Sequence, residues 1–485
     1  MSYSILRWLL IGWFLAGASG PDRISARQDP DSGAQTKPPN VLWLMSDEHR
    51  TDSLGCYGSP WASTPNLDRL AREGVRFVSA VTPAPVCVPA RSAILTGRYP
   101  SALGIWHNVR PAQHSMPEFL SEAFHRAGYR SASFGKQHYG GTKKAFQTEA
   151  SIVLSEAVGY FKYLDPYDSA QFDVVRYPPS PYGWILGGRF PAPVEKTAQA
   201  RIVRESLAWL DKLDRGTPFF LRLSFNAPHT PVVPPAPYDR KIDPDAIRLP
   251  PAAEGRPPGE AGWITAGVRP SSEGSRLSPD EVRKARRYYY GEVAFLDNQI
   301  GEMLSAMRSR GLLENTIVAF VSDHGTHVGD YSLVQKQTFY EPVVNVPFIF
   351  WYPKGIAKGV VIRTPVETRT LLPTLLELAG ISFVAEAGIA PSLAASLREG
   401  REPAAQPVFS EFNLASFGMP ADHRYTMIRD GRWKLSLAFT PEPGDGALYD
   451  LIADPYERVN LYGSPEATAV RERLGRLLRE HLAAK

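Results

Sequence analysis

Four polar clusters each follow an apolar run: Ser46-Asp47-Glu48-His49, Lys136-Gln137-His138, Asn226-Ala227-Pro228-His229 and Ser322-Asp323-His324-Gly325. Acids, imidazoles and a lysine in such company suit two tasks, holding a divalent metal and steadying an anion. Asp47 and Asp323 are hard oxygen donors, and Glu48 and His324 are adjacent candidates. Glu48 is the weaker of these, because neighbours at a strand end can point opposite ways. His324, beside Asp323, reads as a ligand, whereas His49 and His327 read as outer or solvated groups. Lys136, His138, His229 and Lys336 would add positive charge or donors around the metal. That combination favours an oxyanion with several negative oxygens, a sulfate or phosphate ester.

The chain has two cysteines, and one of them, Cys87, stands in PVCVPARSAILTGR, residues 85–98. Pro89 fits the first turn of a helix that Gly97 would end. Cys87 therefore falls near a helix N-terminus, where partial positive charge lowers a thiol pKa and attracts anions. Arg91, one turn in, can reach back to the same spot. The residues alone leave open a thiolate nucleophile, with no His-Asn or CxxC partner evident nearby, and a plain buried cysteine. A disulfide between Cys56 and Cys87 is possible in an exported chain but is not the expected fate of Cys87.

The elements that must position these groups alternate. Apolar strands are predicted at 40–47, 129–136, 217–225, 315–323 and 345–353, the pattern of strands buried on both faces. Helices are predicted at 64–74, capped by Thr64 and stopped by Gly74, at 115–128, from Ser278 to about Arg310, and at 368–380. This alternation implies an α/β fold with a large, mostly parallel sheet between helices. Ligands of such sheets bind beyond the carboxyl ends of the strands, where the four clusters fall. Residues 240–277, rich in Pro, Gly and charge, read as a surface excursion. Beyond residue 400 the pattern changes to a hairpin turning at Asp430-Gly431 and a closing helix at 466–483, a smaller α+β unit with an antiparallel sheet. The expected organisation is a catalytic unit over 39–400 and a subdomain over 401–485.

A chain of 485 residues that is 43% hydrophobic can bury one large core or two unequal ones. Its formal charge of +4 gives no sign of a nucleic-acid binder. Arg7, the apolar run from Trp8 to Ala18 and the small residues after it read as a signal peptide over 1–20, followed by a flexible leader over 21–38. An uncleaved anchor is the alternative. The reading implies a periplasmic or secreted protein with no stable membrane insertion once the signal is cleaved.

CVPARSAILTGR resembles the C-x-P-x-R element of the sulfatase family, formylglycine-dependent members of the alkaline phosphatase superfamily, with Ala90 where the best-known form has Ser. The resemblance runs from about residue 39 to 462. It includes PNVLWLMSDEHRTDSLGCYG, GKQHYG, APHTPVVPP, SDHGTHVGD with the later VQKQTFYEP, and LYDLIADPYERVNL. It implies that Cys87 is oxidised to formylglycine by a maturing enzyme, and that the hydrate of this aldehyde is the nucleophile and also touches the metal. It further implies metal positions at Asp47, Asp323 and His324, with Ca2+ the usual ion. Glu48 stands where others show Asp or Gln. Arg91 would hold the nucleophile's second oxygen, while Lys136, His138, His229 and Lys336 match sulfate-binding and proton-transfer positions. The implied activity is hydrolysis of a sulfate monoester on a sulfated small molecule or glycan. A phosphate or phosphonate ester hydrolase of the same superfamily and a non-catalytic glycan binder are the alternatives. Tyr182, Trp184 and Arg189 lie in a long loop that could line the entrance.

Overall fold

The computed structural model describes residues 37–108, 116–152, 172–177, 184–190, 193–274, 277–383, 386–439 and 445–484. The signal peptide read over 1–20, residues 21–36 of the leader read over 21–38, and Tyr182 lie outside them. Among the described residues, no helix is long and apolar enough to cross a membrane.

The main sheet comprises β1 (Asn40–Ser46), β2 (Val75–Phe77), β3 (Arg130–Gly135), β4 (Thr148–Ala150), β5 (Phe219–Ser224), β6 (Thr316–Ser322), β7 (Phe348–Trp351) and β8 (Val360–Ile362). Their spatial order is β8-β2-β7-β6-β1-β5-β3-β4. From β6 to β4 every pairing is parallel, whereas β7 runs antiparallel to both its neighbours, so the sheet is mixed but mostly parallel. All seven residues of β1 are buried, as a strand covered on both faces requires. Leu42 and Leu44 face a core shared with α1 (Pro65–Glu73), α3 (Ala198–Leu210) and α4 (Pro279–Ser309). Val41, Trp43 and Met45 face the opposite core, with α2 (Cys87–Thr96) and α5 (Leu371–Leu378).

Two helix ends show how local chemistry sets these elements. Ser278 Oγ accepts from the Glu281 N–H while the Glu281 carboxylate accepts from the Ser278 N–H, a capping box that starts the 31-residue α4. Thr64 does not cap α1 as expected. Its hydroxyl accepts from the Gly55 N–H and bonds Asp68 instead. The open N–H groups of Asn66 and Leu67 donate to the carboxylate of Asp297 on α4, which brings a full negative charge to the positive end of the helix.

A second, antiparallel sheet orders β9 (Val408–Phe412), β10 (Arg424–Asp430), β11 (Trp433–Phe439) and β12 (Gly446–Asp450). One face packs on the main body through Tyr425 and Met427, and the other on α6 (Thr468–Ala483) through Ile428, Leu435 and Leu474. Three expectations are corrected. Asp430 pairs with Trp433, so the hairpin turn is Gly431-Arg432, one residue later, with Gly431 at φ 59°. Of the helix expected at 115–128, Ser121–Arg126 is helical, its entry fixed by the Leu120 N–H donating to Leu95. Within the excursion expected at 240–277, residues 240–260 are mostly exposed or half-buried, but Trp263, Ile264 and Val268 are buried in the core shared with Phe412 and Tyr425, because those apolar side chains fill the space between the two sheets.

Candidate active site

Strand register levels the chemistry. Ser46 of β1 is paired with Ser322 of β6, Met45 with Ser224 of β5, and Ser224 with Gly135 of β3. The residues that follow, Asp47, Asp323 and Lys136, therefore emerge side by side. Their N–H groups prolong the ladder, donating to Ala227, Ser46 and Ser224 carbonyls. Gly135, at φ 106°, is required here: a Cβ would lie 2.0 Å from the Ser224 carbonyl oxygen.

Cys87 is the first residue of α2, all ten residues of which are buried. Its Sγ lies 3.2 Å from His324 Nε2, 3.3 Å from Lys336 Nζ, 3.7 Å from Lys136 Nζ and 4.0 Å from Asp47 Oδ1. His138 is within hydrogen-bonding reach of the same sulfur. His229 Nε2 stands 3.3 Å from both Lys336 Nζ and Glu48 Oε1, and Lys336 also pairs with Glu48. The fold thus gathers all ten sequence-derived residues into one cluster. The Arg91 guanidinium is engaged by Asp47 (2.8 Å), Asp323 (2.7 Å), Ser224 Oγ (2.8 Å) and the Lys136 carbonyl (3.2 Å), so it holds the two carboxylates together.

The electrostatics follow from burial and charge. Burial raises the Cys87 thiol, but Lys136, Lys336 and His324 outweigh it and hold it well below the usual thiol range. Burial likewise raises Asp47 and Glu48. Lys136 and Arg91 on the first, and His229 and Lys336 on the second, bring both below the ordinary carboxylate range. Burial lowers His324, yet Asp323 and Cys87 lift it to about 9, a proton that a bound metal would have to displace. His49 and His327 are not solvated. Both are buried, and burial lowers each to about 3.

A divalent metal fits this donor set. Ligand atoms of Asp47, Cys87, Asp323 and His324 lie within 4.8 Å of one another, as do those of Asp47, Glu48 and His229. His324 Nδ1 is 2.9 Å from the Gly325 carbonyl, which fixes one proton there and makes Nε2, facing the Cys87 sulfur at 3.2 Å, the atom that would ligate once its own proton is displaced. Glu48 Oε2 is buried without a hydrogen-bond partner among the described residues, an acceptor that a hard cation would satisfy. Glu48 and His138 adopt left-handed backbones, φ 60° and 36°, at a cost on the order of 1–3 kcal/mol each.

Two residues escaped the sequence reading. Ser224 holds both Arg91 and the Lys136 carbonyl, and Thr82 Oγ1 donates to the Asp323 carbonyl. The only signal for Ser224 was its place at the end of an apolar strand. Nothing marked Thr82. Of the entrance candidates, Trp184 begins the strand Trp184–Gly187, and half-buried Arg189 is turned toward Asp173 and Asp239.

A buried, cation-lined thiol beside a carboxylate–imidazole donor set, at the carboxyl ends of a mostly parallel sheet, is a site suited to an anionic ester. A family profile described as Sulfatase matches residues 39–381, and one described as N-sulphoglucosamine sulphohydrolase, C-terminal, matches residues 329–484. An ulvan-active sulfatase of Formosa agariphila is 31% identical over 463 residues, spanning 92% of this chain and 81% of that protein. An N-acetylglucosamine-6-O-sulfatase of Bacteroides thetaiotaomicron is 27% identical over 515 residues, spanning 92% and 86%. Among solved structures, a phosphonate monoester hydrolase of Silicibacter pomeroyi superposes with a TM-score of 0.75 at 25% identity, covering 91% of this chain and 95% of that one. The chain belongs to the sulfatase family and is a sulfatase enzyme.

Proposed function

We propose that this sulfatase hydrolyses a sulfate monoester carried on a sulfated carbohydrate, using formylglycine derived from Cys87 and one divalent metal. Two relatives named for ulvan and for N-acetylglucosamine support the carbohydrate, and the export signal read in the sequence accords with it. The observation that carries the reading is the position of the Cys87 sulfur, in reach of Lys136, Lys336 and His324 and against Asp47. That sulfur stands in for the oxygens of the converted side chain.

Asp47, Asp323 and His324 would hold the ion, with Glu48 beside them, and oxygen-rich ligation favours Ca2+. When present, the metal and the aldehyde hydrate together supply a nucleophilic hydroxyl, and the hydrate's second hydroxyl provides the route for releasing sulfate. The chain's own residues do the rest. Lys136 and Lys336 face the negative oxygens of the ester. His229, close to Lys336, is placed to give a proton to the departing alcohol, and His138 to take one during release. Arg91 keeps Asp47 and Asp323 from separating. Every one of these groups lies within the catalytic unit of residues 39–400. Cys87 is 1% exposed at the head of a buried helix, so its maturing enzyme must act before the chain folds.

A second reading, hydrolysis of phosphate or phosphonate esters, is favoured by the likeness to the phosphonate monoester hydrolase. The test is sulfate release from sulfated sugars by the matured chain, set against turnover of matched phosphonate esters. Faster turnover of the sulfate ester is expected. Faster turnover of the phosphonate would replace the first reading by the second.

A further inference from the structure

Lys336 is carried by a segment whose conformation is not its own. Gln335 and Gln337, on either side of it, both have φ 70°, a left-handed backbone that residues other than glycine keep only when their surroundings enforce it. On one side, Gln335 Nε2 donates to Thr230 Oγ1 at 2.6 Å, next to His229, and the Gln337 N–H reaches the Pro85 carbonyl, two residues before Cys87. On the other side the anchor comes from the second sheet. Lys434 of β11 donates through Nζ to the Phe339 carbonyl at 2.8 Å and to Glu341 Oε1 at 3.0 Å, and pairs with Glu457 at 2.5 Å. Glu457 in turn accepts from the Glu341 N–H at 2.7 Å, and Arg429 reaches Glu341 Oε2 at 3.1 Å.

Lys434 is 2% exposed and Glu457 is fully buried. Burying an ammonium among carboxylates is an unfavourable way to fill a core, since an apolar side chain of the same volume does so without desolvating a charge. What the ammonium adds is a directed grip on a backbone carbonyl three residues beyond Lys336. Aromatic packing runs alongside it: Tyr331 stacks on Tyr340 at 4.0 Å, and the Tyr331 hydroxyl donates to the Tyr456 carbonyl at 3.0 Å.

We propose that Lys434 is a positioning residue for Lys336: through Lys434 and Glu457 the second sheet fixes the strained segment that aims the Lys336 ammonium at position 87. The proposal rests on the reading of Lys336 as an active-site group.

The test is a double-mutant cycle in the full, matured chain, with kcat measured on one sulfate ester. Lys434→Met should lower kcat roughly tenfold to a hundredfold, the scale of a misplaced catalytic group. In Lys336→Ala the same second substitution should cost nothing further, because its effect passes through Lys336. A double variant slower than K336A by the whole K434M factor would overturn the proposal, as would an unchanged kcat in K434M. Wild-type kcat in K336A alone would instead remove Lys336 from the active site, a failure distinguishable from the others. Should K434M not fold, Glu457→Gln keeps the shape and weakens the grip. Its loss must likewise vanish in the K336A background, and a loss that multiplies overturns the proposal.

Discussion

Arg91 Nε lies 2.7 Å from Asp323 Oδ2, with both side chains wholly buried, and the same guanidinium reaches Asp47 at 2.8 Å. Neighbouring strands deliver two carboxylates to one place, and a planar fork on the helix that begins with Cys87 holds them together. Arg91→Ala leaves Asp323 buried without its guanidinium partner and Asp47 with Lys136 alone, and it should cost about 3–5 kcal/mol in metal-free protein, measured by urea unfolding. Arg91→Lys should recover only part of that, because a point charge cannot bridge both. Equal stability of wild type and R91A would contradict the assignment.

In the proposed site Asp323 would serve the ion as well as Arg91. Asp323→Asn should therefore weaken metal binding by more than the roughly tenfold to hundredfold typical of substitutions in groups that only support a ligand. Ion content measured by inductively coupled plasma mass spectrometry after passage over a chelating resin reads this out. One ion per chain is expected in wild type and none in D323N. Equal retention would remove Asp323 from the ligand set.

His229 as the proton donor makes a leaving-group prediction. In His229→Ala, turnover of a sugar sulfate, whose alkoxide leaves poorly, should fall about 10²–10⁴-fold. Turnover of nitrophenyl sulfate, whose phenolate needs little help, should fall much less. Equal losses on both esters would give His229 a binding role instead.

Much of this was legible in the sequence because the signals were periodic or chemically rare. The buried strands showed as unbroken apolar runs, and Asp47, Lys136 and Asp323 as the polar residues that stop them. What stayed hidden depends on long-range contact. Arg91 is legible in the sequence as a charged neighbour of Cys87, but only the register of β1 against β6 brings within its reach the two carboxylates that it bridges. The cap on α1 was assigned to Thr64 because Asp297, 231 residues away from Asn66, carries no local sign of that duty. Residues 240–277 looked solvated by composition, and Trp263 is buried only because a second sheet exists for it to pack against.

Glu292 on α4 gives a pH signature outside the ten residues of the candidate site. It is buried, bonded by Gln199, and lines with Thr197, Asn226 and His229 a cavity beside the site. Burial raises its pKa from the ordinary value to about 8. The native state then keeps a proton that the unfolded chain has lost, so this group's contribution is full below the unfolded pKa and declines as pH rises toward 8. Glu292→Gln removes the slope. Its melting temperature relative to wild type should climb between about pH 5 and about pH 8. A constant difference across that range would mean that Glu292 does not hold the proton.

The central claim is that Cys87 is a precursor and not the final nucleophile. Mass spectrometry of the tryptic peptide containing Cys87, from protein exported by its own host, tests this most directly. A mass corresponding to the aldehyde or its hydrate is the predicted result. An intact thiol, in protein from a host that converts other C-x-P-x-R sequences, would contradict the proposed mechanism.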